Sequence, residues 1–228
     1  MEDGNQMINI VYEDNHLLVV EKPINIPTQE DDSKDMDLLT MLKQYIKEKY
    51  NKPGNVYLGM VHRLDRPVGG ITVFARTSKA ASRLSEQIRN KEFQKTYCAV
   101  VIGNINDEGT LENYLLKDNK KNIVKVDNSG KYAKLSYKKL NNKDNMSLVE
   151  IKLDTGRSHQ IRVQLSNYGY PLYGDQKYNT NSRVGEQIAL FSKKTSFYHP
   201  VTKELLSFEL ELPNKYPWSI FKEEKSER

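Results

Sequence analysis

The apolar positions of this 228-residue chain fall mostly into short runs of strand length, separated by turn-forming residues. Residues 8–12 and 17–21 read as two strands joined by Glu13-Asp14-Asn15-His16. A Pro-bracketed loop follows, from Lys22-Pro23 to Pro27. Further strand-like runs lie at 56–61, 71–75, 93–102, 111–116, 123–126, 133–140, 146–153, 197–198 and 205–212. Helical spacing appears three times. Leu38, Leu39, Leu42, Tyr45 and Ile46 form one stripe, with Asp37 placed to cap it. Ala81, Leu84 and Ile88 form a second within 78–90. Ile161, Leu165 and Tyr168 form a third within 158–168, leaving His159, Arg162 and Ser166 for a polar face. Strands outnumber helices and the connections are short. The pattern predicts an α+β fold with a mixed, mainly antiparallel sheet flanked by helices. No repeat, linker or low-complexity tract divides the chain. One domain over 1–228 is expected, with peripheral tails at about 1–7 and 219–228.

Composition narrows the class. No apolar run approaches the roughly 18 residues of a membrane helix, so no membrane partner is expected. The acidic, polar start Met1-Glu2-Asp3-Gly4-Asn5-Gln6 is unlike a secretion signal. One cysteine, Cys98, excludes an internal disulfide and a cysteine-rich zinc site. A cytoplasmic monomer is the simplest expectation. The charge is uneven. Residues 1–37 hold two lysines against ten carboxylates, a net −8 in a chain of +5, so the rest carries +13. Nine lysines lie between Lys117 and Lys143. Such a body suits a polyanion, with a solvated surface as the plain alternative.

Four segments carry candidate chemistry. His62-Arg63-Leu64-Asp65 lies between the run at 56–61 and a breaker cluster of Pro67, Gly69 and Gly70. In extended backbone Arg63 and Asp65 share a face, which sets a guanidinium beside a carboxylate at the mouth of a loop. Lys95-Thr96-Tyr97 opens a strand, and Tyr97 alone reads as a core or cross-strand tyrosine. Gly156-Arg157-Ser158-His159-Gln160-Ile161-Arg162 runs into the third helix. Arg157 stands just before it, where backbone N–H groups favour an anion. Gly174-Asp175 between Tyr173 and Tyr178 reads as a structural turn.

Together these segments resemble the RluA-type pseudouridine synthases, in the family's order and from Tyr12 to about Pro213. Tyr12-Glu13-Asp14, Val19-Val20-Glu21-Lys22-Pro23 and Tyr198-His199-Pro200-Val201-Thr202 are also similar to it. There are departures. Pro67-Val68-Gly69-Gly70 stands where many relatives have Thr-Ser-Gly, Leu190-Phe191-Ser192 where Leu-His-Ala is common, and Tyr178-Asn179 where Tyr-Gly is frequent. The small N-terminal RNA-binding domain of many relatives is expected to be absent, because strand signals begin by Ile8.

The resemblance implies a catalytic domain with a central cleft that isomerises uridine in structured RNA, ribosomal or transfer, to pseudouridine. It makes Asp65 the essential carboxylate, acting as a nucleophile at C1′ or C6 or as a base at C2′. It points to Arg157 as the partner of Asp65 and to Tyr97 as the aromatic that stacks on the flipped uracil. Arg63 is similar to the residue that reaches into the RNA helix, and His62, His159, Gln160 and Arg162 are expected to contact RNA. The isomerisation moves one base on one sugar with no redox change, so no metal or organic cofactor is expected. The alternative is a catalytically silent RNA-binding or ribosome-assembly protein on the same fold.

Overall fold

The structure is a computed structural model and describes residues 8–222. The tail expected at 1–7, and residues 223–228 of the other, lie outside the described residues. The chain forms two compact units, 8–94 with 194–210, and 95–193 with 211–222, over the described residues.

In the first unit β1 (Asn9–Glu13) and β2 (Leu17–Lys22) form an antiparallel hairpin. Asp14 Oδ1 accepts from the backbone N–H groups of His16 and Leu17, both at 2.7 Å, and closes its turn. Then come α1 (Leu38–Lys49), β3 (Gly59–Met60), β4 (Gly69–Ala75) and α2 (Ser78–Arg89). β4 pairs antiparallel with β2 and, near its end, with β3. The Leu17-Leu18-Val19-Val20 run is apolar without alternation because both faces of β2 are covered. Leu17 and Val19 pack with Ile71, Val73, Leu84 of α2 and Phe93. Leu18 and Val20 pack with Phe74 and with Leu38, Leu42 and Ile46 of α1. Asp37 and Thr77 cap the two helices by accepting from Thr40 N and Ala80 N.

The second unit holds β5 (Gln94–Ile102), β6 (Glu108–Asp118), β7 (Ile123–Val126), β8 (Lys131–Lys143), β9 (Met146–Leu153) and α3 (Gln160–Asn167). The strands lie in the order β5-β9-β8-β6-β7, all neighbours antiparallel. Leu115, Val124 and Ala133 on one face pack against Val163 of α3. β8 and β9 meet through Asp144 and Asn145, both left-handed (φ +53° and +56°), as a tight hairpin of this hand requires. β10 (Leu190–Tyr198) begins in the second unit and ends in the first, where it pairs antiparallel with β11 (Leu205–Glu209). A 3₁₀ turn, Trp218–Phe221, buries Trp218. Among the described residues no helix is long and apolar enough to cross a membrane.

The α+β class with a mainly antiparallel sheet is as the sequence predicts. Two expectations are corrected. Of the run at 56–61 only Gly59–Met60 joins a sheet, and Tyr57 is exposed. The polar face expected of the third helix is absent: Gln160 through Leu165 are all buried, Arg162 and Gln164 included.

Candidate active site

In the first unit, residues 62–65 leave the ladder and turn over Asp65-Arg66-Pro67-Val68, where the Val68 N–H donates to Asp65 O at 2.9 Å. Pro67, the third residue of this turn, has no N–H for a ladder and disfavours helical backbone at Arg66, which ends the strand here. The turn is held from below. Thr28 Oγ1 donates to Leu64 O at 2.8 Å and accepts from Leu64 N at 3.2 Å. Leu64 itself is buried. His62 Nε2 accepts from Val73 N at 3.0 Å, so the ring is tied to β4, and it lies against Phe93 with centroids 5.5 Å apart.

Beneath the same turn lies Lys22, 1% exposed. Its ammonium donates to Pro23 O at 2.9 Å and to Arg66 O at 3.0 Å. Burial pushes its pKa down to about 7, while the neighbouring Asp65 charge acts in the opposite direction and that of Arg66 adds to the depression. Asp65 is half-buried and Arg63 exposed, so the turn presents a carboxylate and a guanidinium over a buried amine. Arg66 leans outward onto an acidic loop, donating to Ser33 Oγ at 2.8 Å, to Asn25 O at 3.3 Å and to Asp35. Lys22 stands in one of the segments that carry the resemblance, but periodicity gives no sign of its burial. A lysine before proline reads as a loop residue, and only the run of Leu17–Val20 ahead of it hints that the strand carries it inward.

In the second unit Tyr97 sits on β5, 6% exposed, in one cross-strand row with Ile151 and Tyr137. Arg157 lies on the loop between β9 and α3, and that loop is stapled to β8. Thr155 Oγ1 accepts from Lys134 N at 2.9 Å. The Gln160 side chain accepts from Thr155 Oγ1 and from Arg157 N, both at 2.9 Å, and donates to Lys134 O at 3.0 Å. Arg157 Nε donates to Tyr132 O at 2.9 Å while its side chain stays exposed. His159 precedes α3 in the left-handed region (φ +51°) and is buried, its Nδ1 2.6 Å from the Tyr178 hydroxyl. That hydroxyl also accepts from Val124 N at 2.9 Å, so it links the His159 ring to β7.

Arg162 and Asp175 form a buried two-point pair, Nε to Oδ2 at 2.9 Å and Nη2 to Oδ1 at 2.7 Å. The guanidinium also lies over the Tyr178 ring, 5.2 Å from its centroid. Asp175 Oδ1 further accepts from Lys177 N at 3.1 Å. Gly174 is left-handed (φ +69°), and a side chain there would meet Gln187 O at 2.3 Å, so the Gly-Asp turn is structural as its residues suggest. The sequence-predicted set therefore separates by exposure. Asp65, Arg63 and Arg157 reach solvent. Tyr97, His159, Gln160 and Arg162 are buried, and the polar atoms of the last three take up partners inside their own unit.

Comparison with known proteins bears on this arrangement. Residues 16–167 match the family model described as RNA pseudouridylate synthase. YhcT of Bacillus subtilis, described as an uncharacterized RNA pseudouridine synthase, is 34% identical over 90% of this chain and 69% of its own length. The ribosomal large subunit pseudouridine synthase D of Pseudomonas aeruginosa is 31% identical over 93% of this chain and 71% of its own. Among solved structures, human RNA pseudouridylate synthase domain containing 4 superimposes with a TM-score of 0.75 at 22% identity, over 90% of this chain and 88% of that one. This last likeness speaks for the fold.

Proposed function

The chain belongs to the RNA pseudouridylate synthases, isomerases that act on uridine in RNA, and we propose that it converts specific uridines of structured ribosomal RNA to pseudouridine with Asp65 as the reacting carboxylate. The observation that carries this reading is the turn at Asp65. A carboxylate that attacks or abstracts must be ionised and must not swing away. Here the peptide on either side is fixed by Thr28, Lys22 and the Val68 N–H. Ribosomal RNA is favoured over transfer RNA because the relative from Pseudomonas aeruginosa is named for the large ribosomal subunit.

The remaining roles rest on the family resemblance and, for some residues, on exposure and chemistry. A uridine within a helix is shielded, so the nucleotide has to leave the stack at a cost of a few kcal/mol. Arg63, exposed two residues before Asp65, takes the space that the base vacates; its exposure supports this role. Tyr97 supplies a ring face to the uracil, an interaction worth roughly 1–3 kcal/mol. Arg157, exposed on a rigid loop, supplies positive charge to the reacting nucleotide. His62, His159, Gln160 and Arg162 serve these residues as positioning groups, since their hydrogen bonds run within the protein. The enzyme works in the cytoplasm as a monomer and needs no cofactor, because the bond broken at N1 and the bond formed at C5 balance without an outside reagent.

The test is Asp65→Asn. It keeps shape and removes charge and nucleophile. Single-turnover conversion of ribosomal RNA should fall at least about 10⁴-fold, roughly 5.5 kcal/mol of barrier, while RNA binding persists. Near-normal turnover would end the assignment. Loss of pseudouridine from transfer RNA alone, in total RNA from a deletion strain against its parent, would move the substrate but keep the chemistry.

A further inference from the structure

The second unit holds a lysine that the chemistry above does not use. Lys95, the second residue of β5, is partly buried. Among the described residues its ammonium has no hydrogen bond and no ion pair. Burial pushes its pKa down, and no carboxylate acts in the opposite direction. A charge drawn from water without a partner is costly, and an arriving anion would remove that cost. The opposite face of the sheet offers the contrast. There Lys134 is paired with Glu112 at 3.0 Å.

Register fixes where Lys95 stands. Tyr97 pairs with Ile151, and Ile151 with Tyr137. Ala133, Leu135 and Tyr137 alternate onto one face of β8, and Ala133 packs with Val163 of α3. Lys95 and Tyr97 are two residues apart on β5, so both lie on this face, about 6.6 Å apart along the strand. Thr96 pairs with Lys152, one residue before the end of β9. Lys95 therefore stands at the end of the sheet where the chain leaves β9 for the loop that carries Arg157. The carboxylate of that loop, Asp154, acts on Tyr132 and Lys134, which alternate onto the opposite face.

We propose that Lys95 binds a phosphate beside the flipped uridine and so fixes the nucleotide while its uracil lies on Tyr97. The inference rests on the reading of Tyr97 given above and adds a substrate-binding residue to it. One ribose separates a base from its own phosphate, which suits two same-face positions on a strand, one aromatic and one cationic. The phosphate supplies the partner that the protein itself withholds from Lys95. Such a contact carries no sequence information; it sets the position of the nucleotide.

The experiment uses the whole protein and a short labelled RNA hairpin with one bulged uridine, which is already unstacked and so cheapest to flip. A second hairpin carries uncharged methylphosphonates in place of the phosphates on either side of that uridine. Fluorescence anisotropy gives the dissociation constants across a salt series. Lys95→Met keeps the stem and removes the charge. It should bind the plain hairpin about tenfold or more weakly, and the slope of log affinity against log salt should shrink by about 0.7–0.9, the share of one phosphate. The methylphosphonates should weaken the wild type by a similar factor but Lys95→Met by less than about twofold, because that contact is already lost. Lys95→Arg keeps the charge and should restore most of the slope. A lysine that only supports the fold would lower the melting temperature of Lys95→Met while the methylphosphonates weakened both proteins equally, and that result would overturn the proposal. So would an unchanged slope in a folded Lys95→Met, or a Lys95→Arg no better than Lys95→Met. Conversion of uridine in ribosomal RNA by the wild type is measured separately. Conversion with equal methylphosphonate losses would reject the lysine and keep the function; unequal losses without conversion would do the reverse.

Discussion

Lys22 should make the protein more stable in mild alkali than near neutrality. In the unfolded chain it titrates at its ordinary 10.5, and in the fold at about 7. Below pH 7 it is protonated in both states, and the fold bears the cost of a buried charge. Between the two values the unfolded state binds the extra proton, so stability rises with pH through that window and levels off above 10.5. The full shift corresponds to about 5 kcal/mol, and the part gained between pH 6.5 and 9 to about 2.5 kcal/mol. That is a large share of a domain's usual margin. Other groups also titrate, so the measurement is a comparison with Lys22→Met, which keeps the apolar stem and has no proton to lose. Urea unfolding at both pH values should show a gain of about 2.5 kcal/mol for the wild type beyond any gain in the variant. Asp65→Asn supplies a second check. The Asp65 charge holds the lysine pKa up, so its removal should move the rise to lower pH. Parallel pH profiles for the wild type and Lys22→Met would refute the reasoning.

Two further outcomes are expected. Tyr97→Phe should bind RNA normally but turn over at least about tenfold more slowly if the hydroxyl helps to move the C5 proton; full activity by tritium release would reduce its role to stacking. Tyr97→Ala, at a 6% exposed site, should also lose about 3 kcal/mol of stability in denaturant titration. Arg162→Ala strands the Asp175 carboxylate and should cost about 3–5 kcal/mol, whereas replacing both partners with Met and Leu should recover most of it. A single variant that melts like the wild type would show the pair to be idle.

The strands and helices were legible because their residues signal locally. Asp37 stands ahead of an amphipathic run and caps it as expected, and Thr77 caps the second helix in the same way. The Ile123–Val126 and Met146–Leu153 strands are apolar enough to be read to the residue. β8 reaches Lys143, three residues past the expected 140, although Asn141, Asn142 and Lys143 favour loops. Its extension comes from the left-handed Asp144-Asn145 turn, which returns the chain into register with β9 after an irregularity between Lys139 and Asn141. The run at 56–61 failed in the other direction. Val56 and Leu58 are apolar and packed, but side-chain burial against α1 and β4 needs no ladder, and periodicity cannot tell the two apart.

The candidate site divides along the same line. Residues that face a substrate are constrained by chemistry, so a carboxylate, an arginine and a tyrosine stand out in a recognised order. Residues that hold them are constrained only by geometry. Lys22 reads as a loop lysine, yet its two hydrogen bonds tie β2 to the turn at Asp65, and no spacing rule joins positions 44 residues apart. Gln160 and Arg162 read as polar residues on a helix beside Arg157, and the natural inference is a solvent face. The helix instead follows a loop that returns to β8, so Gln160 is spent on the backbone of Lys134 and Arg157. Arg162 is then buried against Asp175, 13 residues further on. A polar side chain there lowers its energy by satisfying buried backbone or a buried carboxylate, an outcome that depends on where the next segment passes. For this reason the half-buried Asp65 and the exposed Arg63 and Arg157 are the residues whose substitution should strike turnover first. Substitution of the buried His159, Gln160 or Arg162 should be seen first in stability and only then, through the displaced loops, in rate.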